Sequence, residues 1–309
     1  MAEPTSPYAR ELDVAIIAAT AAGRIVRYYY DAASARTYEK DDGSLVTDAD
    51  LASDRLIREI IGAHFPDDPI LTEEGIDDLE RLTHARCWIA DPIDGTEQFI
   101  HRTGDFDVLI ALAVNGRPVV AAGVNPPTGL LCAAMLGRGA WIRDTADKEL
   151  QSFTLRPRDN ADPARLATSV WFGAPANAPL VEAVHRRFNA TRLAALKIGF
   201  TPRIFLPSRA IDAYLGIRLG DDQAMGWEWD FATADLFIHE AGGHVTDLSG
   251  KPFRYNKPLP RNVNGLIAAR DPATHQRLVS AVQAELASRQ ESGAVGNDWP
   301  PEQPVAPDT

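Results

Sequence analysis

Short apolar runs separated by turn-forming residues constrain the fold of this chain more than any other feature. The runs cover residues 87–90, 108–114, 118–124 and 130–135. Asn115-Gly116 separates the second run from the third, and an Asn-Pro-Pro segment separates the third from the fourth. Asn-Gly between two apolar runs is a strong signal of a β-hairpin. The sequence therefore predicts consecutive strands in this part of the chain.

Helical patterns precede these strands, and further strands alternate with helices after them. Residues 8–30 and 47–62 are predicted helices, the second with apolar pairs at i, i+4 and with Thr47 as its N-cap. A polar, charge-rich stretch follows at residues 143–162. Beyond it, strands are predicted at residues 166–172, 196–200 and 265–269. The chain is therefore expected to be an α/β protein.

This order of elements predicts two linked halves and a tail. Residues 1–155 are expected to form an N-terminal α+β half, and residues 156–288 a C-terminal α/β half. The last helix of the second half begins at Asp271-Pro272, where the proline suits the first helical turn. Residues 289–309 are proline-rich and lack apolar periodicity, so we expect a disordered tail.

The composition argues against several classes of partner and site. The 309 residues carry a formal net charge of −12, which disfavours a nucleic acid polymer but allows a small charged ligand if metal ions intervene. Cys87 and Cys132 are far apart and lack metal-ligand spacing, so we expect neither a disulfide framework nor a zinc site, and a cytoplasmic location. The apolar run at residues 14–22 is too short to span a membrane, and no membrane partner is expected.

Two aspartates flank a Pro-Ile pair where the first apolar run ends. Asp91 follows the predicted strand, and Asp94 precedes Gly95-Thr96, which is predicted to open a helix. Paired carboxylates suit hard cations, and backbone N–H groups at a helix start suit phosphate. A helix cap with a solvated acidic loop is the alternative interpretation of this segment alone.

Three other stretches also place acidic residues at the ends of predicted elements. Glu73-Glu74 follow a short predicted strand. Asp50 lies three residues after Thr47, which is the spacing of a capping box. Asp230 lies at the start of a helix whose apolar face is predicted from residues 231, 234, 238 and 241, and it would serve there as an N-cap. Each stretch alone has an ordinary structural interpretation.

Together, these four stretches resemble the signature motifs of the inositol monophosphatase superfamily of magnesium-dependent, lithium-sensitive phosphatases. The matching motifs are V-T-x-x-D at residues 46–50, E-E at 73–74, D-P-I-D-G-T at 91–96 and W-D followed by E-A-G-G at 229–243. The resemblance implies a layered αβαβα sandwich of the inositol monophosphatase and fructose-1,6-bisphosphatase type, with the site between the halves. Many relatives form homodimers, so a homodimer is one expected assembly.

The resemblance also implies a role for each matching residue. Two or three magnesium ions would be held by Glu73, Asp91, the Ile93 carbonyl, Asp94 and Asp230. The catalytic residues would be Asp50, Glu73 and Thr96, with Asp50 and Thr96 orienting the attacking water. The implied substrate contacts are Asp94, Gly95, Thr96, Gly199, Thr201 and Asp230, and the amides of Gly95 and Thr96 would hold the phosphate. Carboxylate ligands favour magnesium over zinc.

Within the superfamily, the motifs are most similar to those of bacterial 3'(2'),5'-bisphosphate nucleotidases, which convert adenosine 3',5'-bisphosphate to AMP and phosphate. The supporting features are Trp227 and Trp229 near the ligands and the runs at residues 73–82 and 252–256. Residues 97–101 match neither the nucleotidases nor the inositol monophosphatases fully. Phe200 replaces a small residue and is expected to reshape the pocket, and Arg218 is a candidate phosphate contact with a surface ion pair as the alternative.

Other functions remain open at this stage. An inositol-1-monophosphatase or a related sugar or polyol phosphatase is the alternative enzyme, with a small phosphorylated metabolite as substrate in either case. Aspartyl-phosphate phosphatases are disfavoured because their aspartates are two residues apart, whereas Asp91 and Asp94 are three apart. A metal-binding regulatory module is the non-enzyme alternative, and the presence of Asp50 and Thr96 disfavours it.

Overall fold

The computed structural model describes residues 7–147, 149–156, 163–169, 178–193, 195–196, 199–217 and 225–291. The chain divides into two compact units. Unit 1 comprises Met1–Phe153, Ile198–Pro202 and Glu228–Glu240, and unit 2 comprises Thr154–Lys197, Arg203–Trp227 and Ala241–Thr309. The limits of the two halves that we derived from the sequence stay a prediction. The segment that carries Asp230 groups with unit 1, although we expected the C-terminal half to contribute it.

The described residues form α-helices and short strands in alternating blocks. The helices are α1 (Ala9–Ala32), α2 (Asp48–His64), α3 (Thr96–Ile100), α4 (Ala178–Phe188), α5 (Glu228–Glu240) and α6 (Pro272–Glu291). The strands of unit 1 are β1 (Thr37–Glu39), β2 (Leu45–Thr47), β3 (Ile70–Thr72), β4 (Arg86–Asp94), β5 (Asp107–Val114), β6 (Arg117–Asn125), β7 (Leu130–Met135), β8 (Gly139–Arg143) and β9 (Gln151–Phe153). Those of unit 2 are β10 (Ala164–Ala167), β11 (Ala190–Arg192), β12 (Ala213–Gly216), β13 (Gly226–Trp227), β14 (His244–Thr246), β15 (Arg261–Asn262) and β16 (Leu266–Ala269).

A seven-stranded sheet in the order β3-β4-β5-β6-β7-β8-β9 forms the centre of unit 1. β3 and β4 pair in parallel, and each later pair is antiparallel. Asn115 and Gly116 in the turn between β5 and β6 have φ values of 50° and 76°, the left-handed backbone that a two-residue hairpin requires. The strands predicted between residues 87 and 135 are confirmed.

Helices cover both faces of this sheet. Successive strand residues point to opposite sides, so the neighbours Gly123 and Val124 show which helix lies on which face. A Cβ on Gly123 would lie 3.5 Å from Thr233 of α5, whereas a Cβ on Gly23 of α1 would lie 2.9 Å from the side chain of the next strand residue, Val124. α1 and α2 pack with one face of the sheet in a single apolar core. The predicted N-cap of α2 is confirmed, because Thr47 and Asp50 form a capping box.

The helix that carries Asp230 differs from the prediction in two respects. We expected one apolar face, but ten of the 13 residues of α5 are buried, and the helix packs against β4 to β8. Such a helix shows little amphipathic periodicity. We also expected Asp230 to be the N-cap, but α5 begins at Glu228, so Asp230 lies within its first turn.

Unit 2 contains a mixed sheet in the order β11-β10-β12-β16-β14, with α4 and α6 packed into its core. β16 confirms the strand predicted at residues 265–269. The predicted strand at 166–172 is confirmed only within β10, and residues 170–172 lie outside the described residues. The strand predicted at 196–200 is wrong where it is described: Leu196 forms a single bridge to Ser169, and residues 199–200 form no strand. The bridge pairs the backbone at one position only, whereas a strand needs its N–H and C=O groups paired along its length.

The last helix extends slightly beyond its predicted end. α6 ends at Glu291, whereas residues 289–291 were predicted to belong to the tail. Residues 292–309 of that tail lie outside the described residues. Within the described part of the chain, no helix is long and apolar enough to cross a membrane.

Candidate active site

The first pair of aspartates lies in an irregular part of β4. We expected the strand to end at Ala90, but β4 continues to Asp94, and its register against β5 shifts between Asp91 and Asp94. Pro92 cannot donate a ladder hydrogen bond, so the proline stands at a bulge instead of a turn. Ser53 of α2 donates to the Pro92 carbonyl at 2.9 Å, and the Ile93 N–H donates to Asp91 Oδ1 at 2.9 Å. The bulge is thus held by one contact from α2 and by one hydrogen bond within the bulge itself.

Asp91, Asp94 and Asp230 form a compact group of carboxylates. One oxygen from each lies within 4.8 Å of the other two. Asp91 is 2% exposed, whereas Asp94 and Asp230 are partly exposed. Burial, followed by the charges of Glu73, Asp94 and Asp230, raises the pKa of Asp91 well above its ordinary value. An all-oxygen donor set with excess negative charge fits a hard divalent cation such as Mg²⁺. The site therefore offers an acidic cluster able to hold a metal ion.

Glu73 lies beside this group and is paired with a lysine. Lys40 Nζ, in the turn between β1 and β2, lies 3.1 Å from Glu73 Oε1 and 2.8 Å from Glu74 Oε1. Burial raises the pKa of Glu73 to about 7, with Lys40 acting against the rise and the charges of Glu74 and Asp230 adding to it. Our sequence analysis missed Lys40, and its position in a polar turn gave no signal of this contact.

Asp50 and Thr96, predicted as a pair that orients water, lie in direct contact. Thr96 Oγ1 lies 3.1 Å from Asp50 Oδ1 and 3.3 Å from the Ile93 carbonyl, so its single hydrogen has two acceptors. The other carboxylate oxygen, Oδ2, accepts from the N–H and the hydroxyl of Thr47. Burial raises the pKa of Asp50, and the hydrogen bonds from Thr47 oppose that rise. The capping box thus fixes the orientation of a carboxylate that faces Thr96.

The predicted substrate contacts have different surroundings. Gly95 precedes the five-residue α3 with a φ of 99°, a backbone conformation that favours glycine. A Cβ on Gly199 would lie 2.9 Å from Asp94 Oδ1, so only glycine lets this segment approach that carboxylate so closely. Thr201 is fully buried in unit 1. The roles of these residues stay predictions.

Two of the aromatic residues proposed to select the substrate are buried. Phe200 is 4% exposed and packs against Phe231, with ring centroids 5.7 Å apart, and Trp229 is 7% exposed. The guanidinium of Arg261 lies 5.1 Å from the ring centroid of Trp227. Arg218 lies outside the described residues. Phe200 and Trp229 therefore contribute mainly to packing.

A second network missed by the sequence analysis supports the glutamate loop. Arg58 of α2 donates from Nη2 to Thr72 Oγ1 at 2.6 Å and from Nε to Asp54 at 3.0 Å. A Cβ on Gly75 would collide with this guanidinium. Arg58 thus contacts the chain on both sides of Glu73 and Glu74. An i, i+4 Asp-Arg pair on a helix was the visible signal, but such pairs are common on helix surfaces.

Comparison with known proteins identifies the family. A model of the inositol monophosphatase family matches residues 9–287. The chain belongs to this family. It is 33% identical over 238 residues to the 3'(2'),5'-bisphosphate nucleotidase CysQ of Aggregatibacter actinomycetemcomitans, covering 76% of this chain and 84% of the relative. It is 30% identical over 283 residues to the Nus factor SuhB of Escherichia coli strain K12, covering 89% and 96%.

Solved structures of family members share the fold. SuhB of Bartonella henselae superposes with a TM-score of 0.70 at 23% identity, covering 89% of this chain and 99% of that one. CysQ of Bacteroides thetaiotaomicron superposes with a TM-score of 0.69 at 24% identity, covering 85% and 98%. These similarities confirm the predicted fold class. Together with the family model, they identify the protein as a phosphoric monoester hydrolase of the inositol monophosphatase family.

Proposed function

We propose that this protein is a magnesium-dependent phosphomonoesterase in which a water molecule attacks the phosphoryl group. The close approach of Asp91, Asp94 and Asp230 carries the proposal, because three carboxylates within 4.8 Å repel one another unless protons or cations offset their charges. Glu73 and the Ile93 carbonyl complete the proposed ligand set for two or three ions. Bound magnesium would supply positive charge and lower the pKa of a ligated water.

The remaining residues act on the water and on the phosphate. Asp50 accepts the Thr96 hydrogen, which leaves the lone pairs of the Thr96 hydroxyl to accept a hydrogen bond from the attacking water. The N–H groups of Gly95 and Thr96 are proposed to donate to phosphate oxygens. Gly199 and Thr201 are proposed to lie near the leaving group. A regulatory module would have no need of the Asp50–Thr96 contact, which supports the enzyme over that alternative.

For the substrate, we propose adenosine 3',5'-bisphosphate, hydrolysed to AMP and phosphate. The similarity to proteins named 3'(2'),5'-bisphosphate nucleotidase CysQ supports this choice. The similarity to SuhB proteins keeps inositol 1-phosphate or another polyol phosphate as the second candidate. In either case the partner is a small phosphorylated metabolite and not a nucleic acid polymer or a membrane. A cytoplasmic location and a homodimer are part of the same proposal.

The experiment measures phosphate release from both esters with magnesium and with excess chelator, in the native protein and in Asp91→Asn. We expect no turnover in chelator and none in the variant. The metal-free variant should be at least as stable as the metal-free native protein, because it removes one charge from a repelling group. Full activity in chelator, or undiminished turnover of Asp91→Asn, would refute the metal-dependent mechanism.

A further inference from the structure

A pocket rich in arginine lies in unit 1 on residues that the acidic centre does not use. Its volume is about 310 Å³, and it lies between α1, the turn from β6 to β7 and the end of β8. Arg24 and Arg27 of α1 and Arg143 of β8 line it, together with Thr20, Val124 and Leu131. No aspartate or glutamate is among the described residues that line it. This is unusual in a chain with a net charge of −12.

The pocket and the acidic centre are at different places on the same sheet. Asp91 and Asp94 belong to β4, and Arg143 belongs to β8, so β5, β6 and β7 separate them. Four strand spacings correspond to roughly 19 Å. Val124 faces α1, whereas the preceding residue, Gly123, faces α5. The pocket therefore lies on the α1 face of the sheet, and Asp230 belongs to the helix on the other face.

Two of the three arginines have no acidic partner among the described residues. Arg24 and Arg143 form no ion pair with a described aspartate or glutamate, so no described carboxylate pairs with either charge. Arg27 is held in place by Asp31 at 3.1 Å and by the Pro127 carbonyl at 2.7 Å. Asp31 offsets the charge of Arg27 in part. The three arginines therefore give the pocket a net positive charge.

Thr20 lies in the wall of the pocket and has a buried hydroxyl. Its Oγ1 atom is buried and has no hydrogen-bond partner among the described residues. A threonine within a helix usually bonds the carbonyl one turn earlier, and a buried hydroxyl without a partner costs free energy. Thr20 lines the same pocket as Arg24 and Arg143. The hydroxyl oxygen is closed off from the pocket, so the arginines provide the donors for a ligand there.

We propose that the pocket of Arg24, Arg27 and Arg143 binds a small phosphorylated anion at a second site, separate from the acidic centre. Guanidinium groups donate in a fork that suits phosphate oxygens. Val124 and Leu131 form an apolar wall that suits the organic part of a phosphomonoester. A free phosphate shares the same charge but would leave that wall without contact.

The test measures binding of inorganic phosphate and of phenyl phosphate by calorimetry in excess EDTA. Removing metal eliminates phosphate held through ions at the acidic centre, so the result does not depend on the proposed phosphatase function. We expect saturable binding of both probes, with phenyl phosphate the tighter one because its ring contacts the apolar wall. Equal affinity of the two would identify free phosphate as the ligand chemistry and contradict the phosphomonoester assignment.

Variants test whether the binding takes place in this pocket. The double change Arg24→Gln with Arg143→Gln should weaken phenyl phosphate at least about tenfold, since each lost charge-assisted bond is worth more than a neutral one. Arg138→Gln is the matched control, because Arg138 is exposed in the turn between β7 and β8 and does not line the pocket. Thr20→Val keeps the side-chain shape and removes only a hydroxyl that is closed off from the pocket, so it should leave the affinity unchanged. Unchanged affinity in the double variant, or no saturable binding in the native protein, would overturn the proposal.

Discussion

The Thr96 hydroxyl has two acceptors and one hydrogen, and its choice between them decides what it offers to water. When it donates to Asp50, its lone pairs are available to the nucleophile. We predict that Thr96→Ala lowers kcat by about two orders of magnitude or more. Magnesium affinity should change little, because the hydroxyl is not a proposed ligand.

Thr96→Ser tests whether the hydroxyl itself is responsible, since it keeps the hydrogen bond and removes only a methyl group. It should retain most of the activity. Thr83→Ala, which removes an exposed hydroxyl bonded to the Glu80 carbonyl, is the control. If Thr96→Ala turns over substrate at the native rate, Thr96 serves only as a helix-start residue.

Glu73 makes the stability of the metal-free protein depend on pH. Its pKa rises from 4.5 to about 7 on folding, so the native state holds a proton that the unfolded state has lost. The free energy of unfolding should therefore fall as pH rises from about 4.5 to about 7. Burial also raises the pKa of Asp91 and Asp50, which acts in the same direction.

The measurement is urea unfolding in EDTA at several pH values across this window. Glu73→Gln should flatten the slope, and saturating magnesium should abolish it in this window, because metal binding displaces the proton that only the native state holds. Glu59→Gln, which changes a glutamate of α2 with no hydrogen bond or ion pair among the described residues, provides the control for a change of charge. A native slope that Glu73→Gln leaves unaltered would contradict the assignment.

At the scale of elements, α2 supports the loop that follows β3 through Arg58. The guanidinium contacts Thr72 and Asp54 and fills the space beside Gly75. Its loss should free the segment that contains Glu73 and Glu74. We predict that Arg58→Met raises the magnesium concentration needed for half-maximal activity several-fold, with a smaller effect on kcat at saturating magnesium.

Arg55→Met is the matched control for this element, because Arg55 lies on the same helix and is exposed. Arg58→Lys keeps the charge but not the fork of donors, so it should behave more like Arg58→Met than like the native protein. A lower kcat with unchanged magnesium dependence would show that Arg58 does not act through the glutamate loop.

At the scale of the whole molecule, the substrate distinguishes the two proposed activities. We predict that kcat/KM for adenosine 3',5'-bisphosphate exceeds that for inositol 1-phosphate at least about tenfold, roughly 1.4 kcal/mol in transition-state stabilisation. The burial of Phe200 and Trp229 leaves the CysQ relatives as the main support for this preference. A ratio at or below one in saturating magnesium would favour the inositol monophosphatase activity.

Local patterns in the sequence were sufficient for much of the fold and for the family. The hairpin at Asn115-Gly116 and the cap at Thr47 depend on backbone geometry within a few residues, so both could be predicted. The motifs around Asp91 and Asp230 were enough to identify the phosphatase family. The local pattern of α5 indicated only one apolar face. Its burial could not be predicted, because it depends on contacts with distant parts of the chain.

Contacts between distant parts of the chain were decided only by the tertiary structure. Lys40 reaches Glu73 across 33 residues, and Arg143 lines the same pocket as Arg24 although all of β1 to β7 lie between α1 and β8 in the chain. No periodic pattern in the sequence identifies the partner of a charged side chain, because the path of the backbone decides which residues lie next to it. The sequence by itself therefore determined most of the elements around the site and, through its motifs, that Asp91, Asp94 and Asp230 gather. Packing of those elements decided what each carboxylate and each arginine faces.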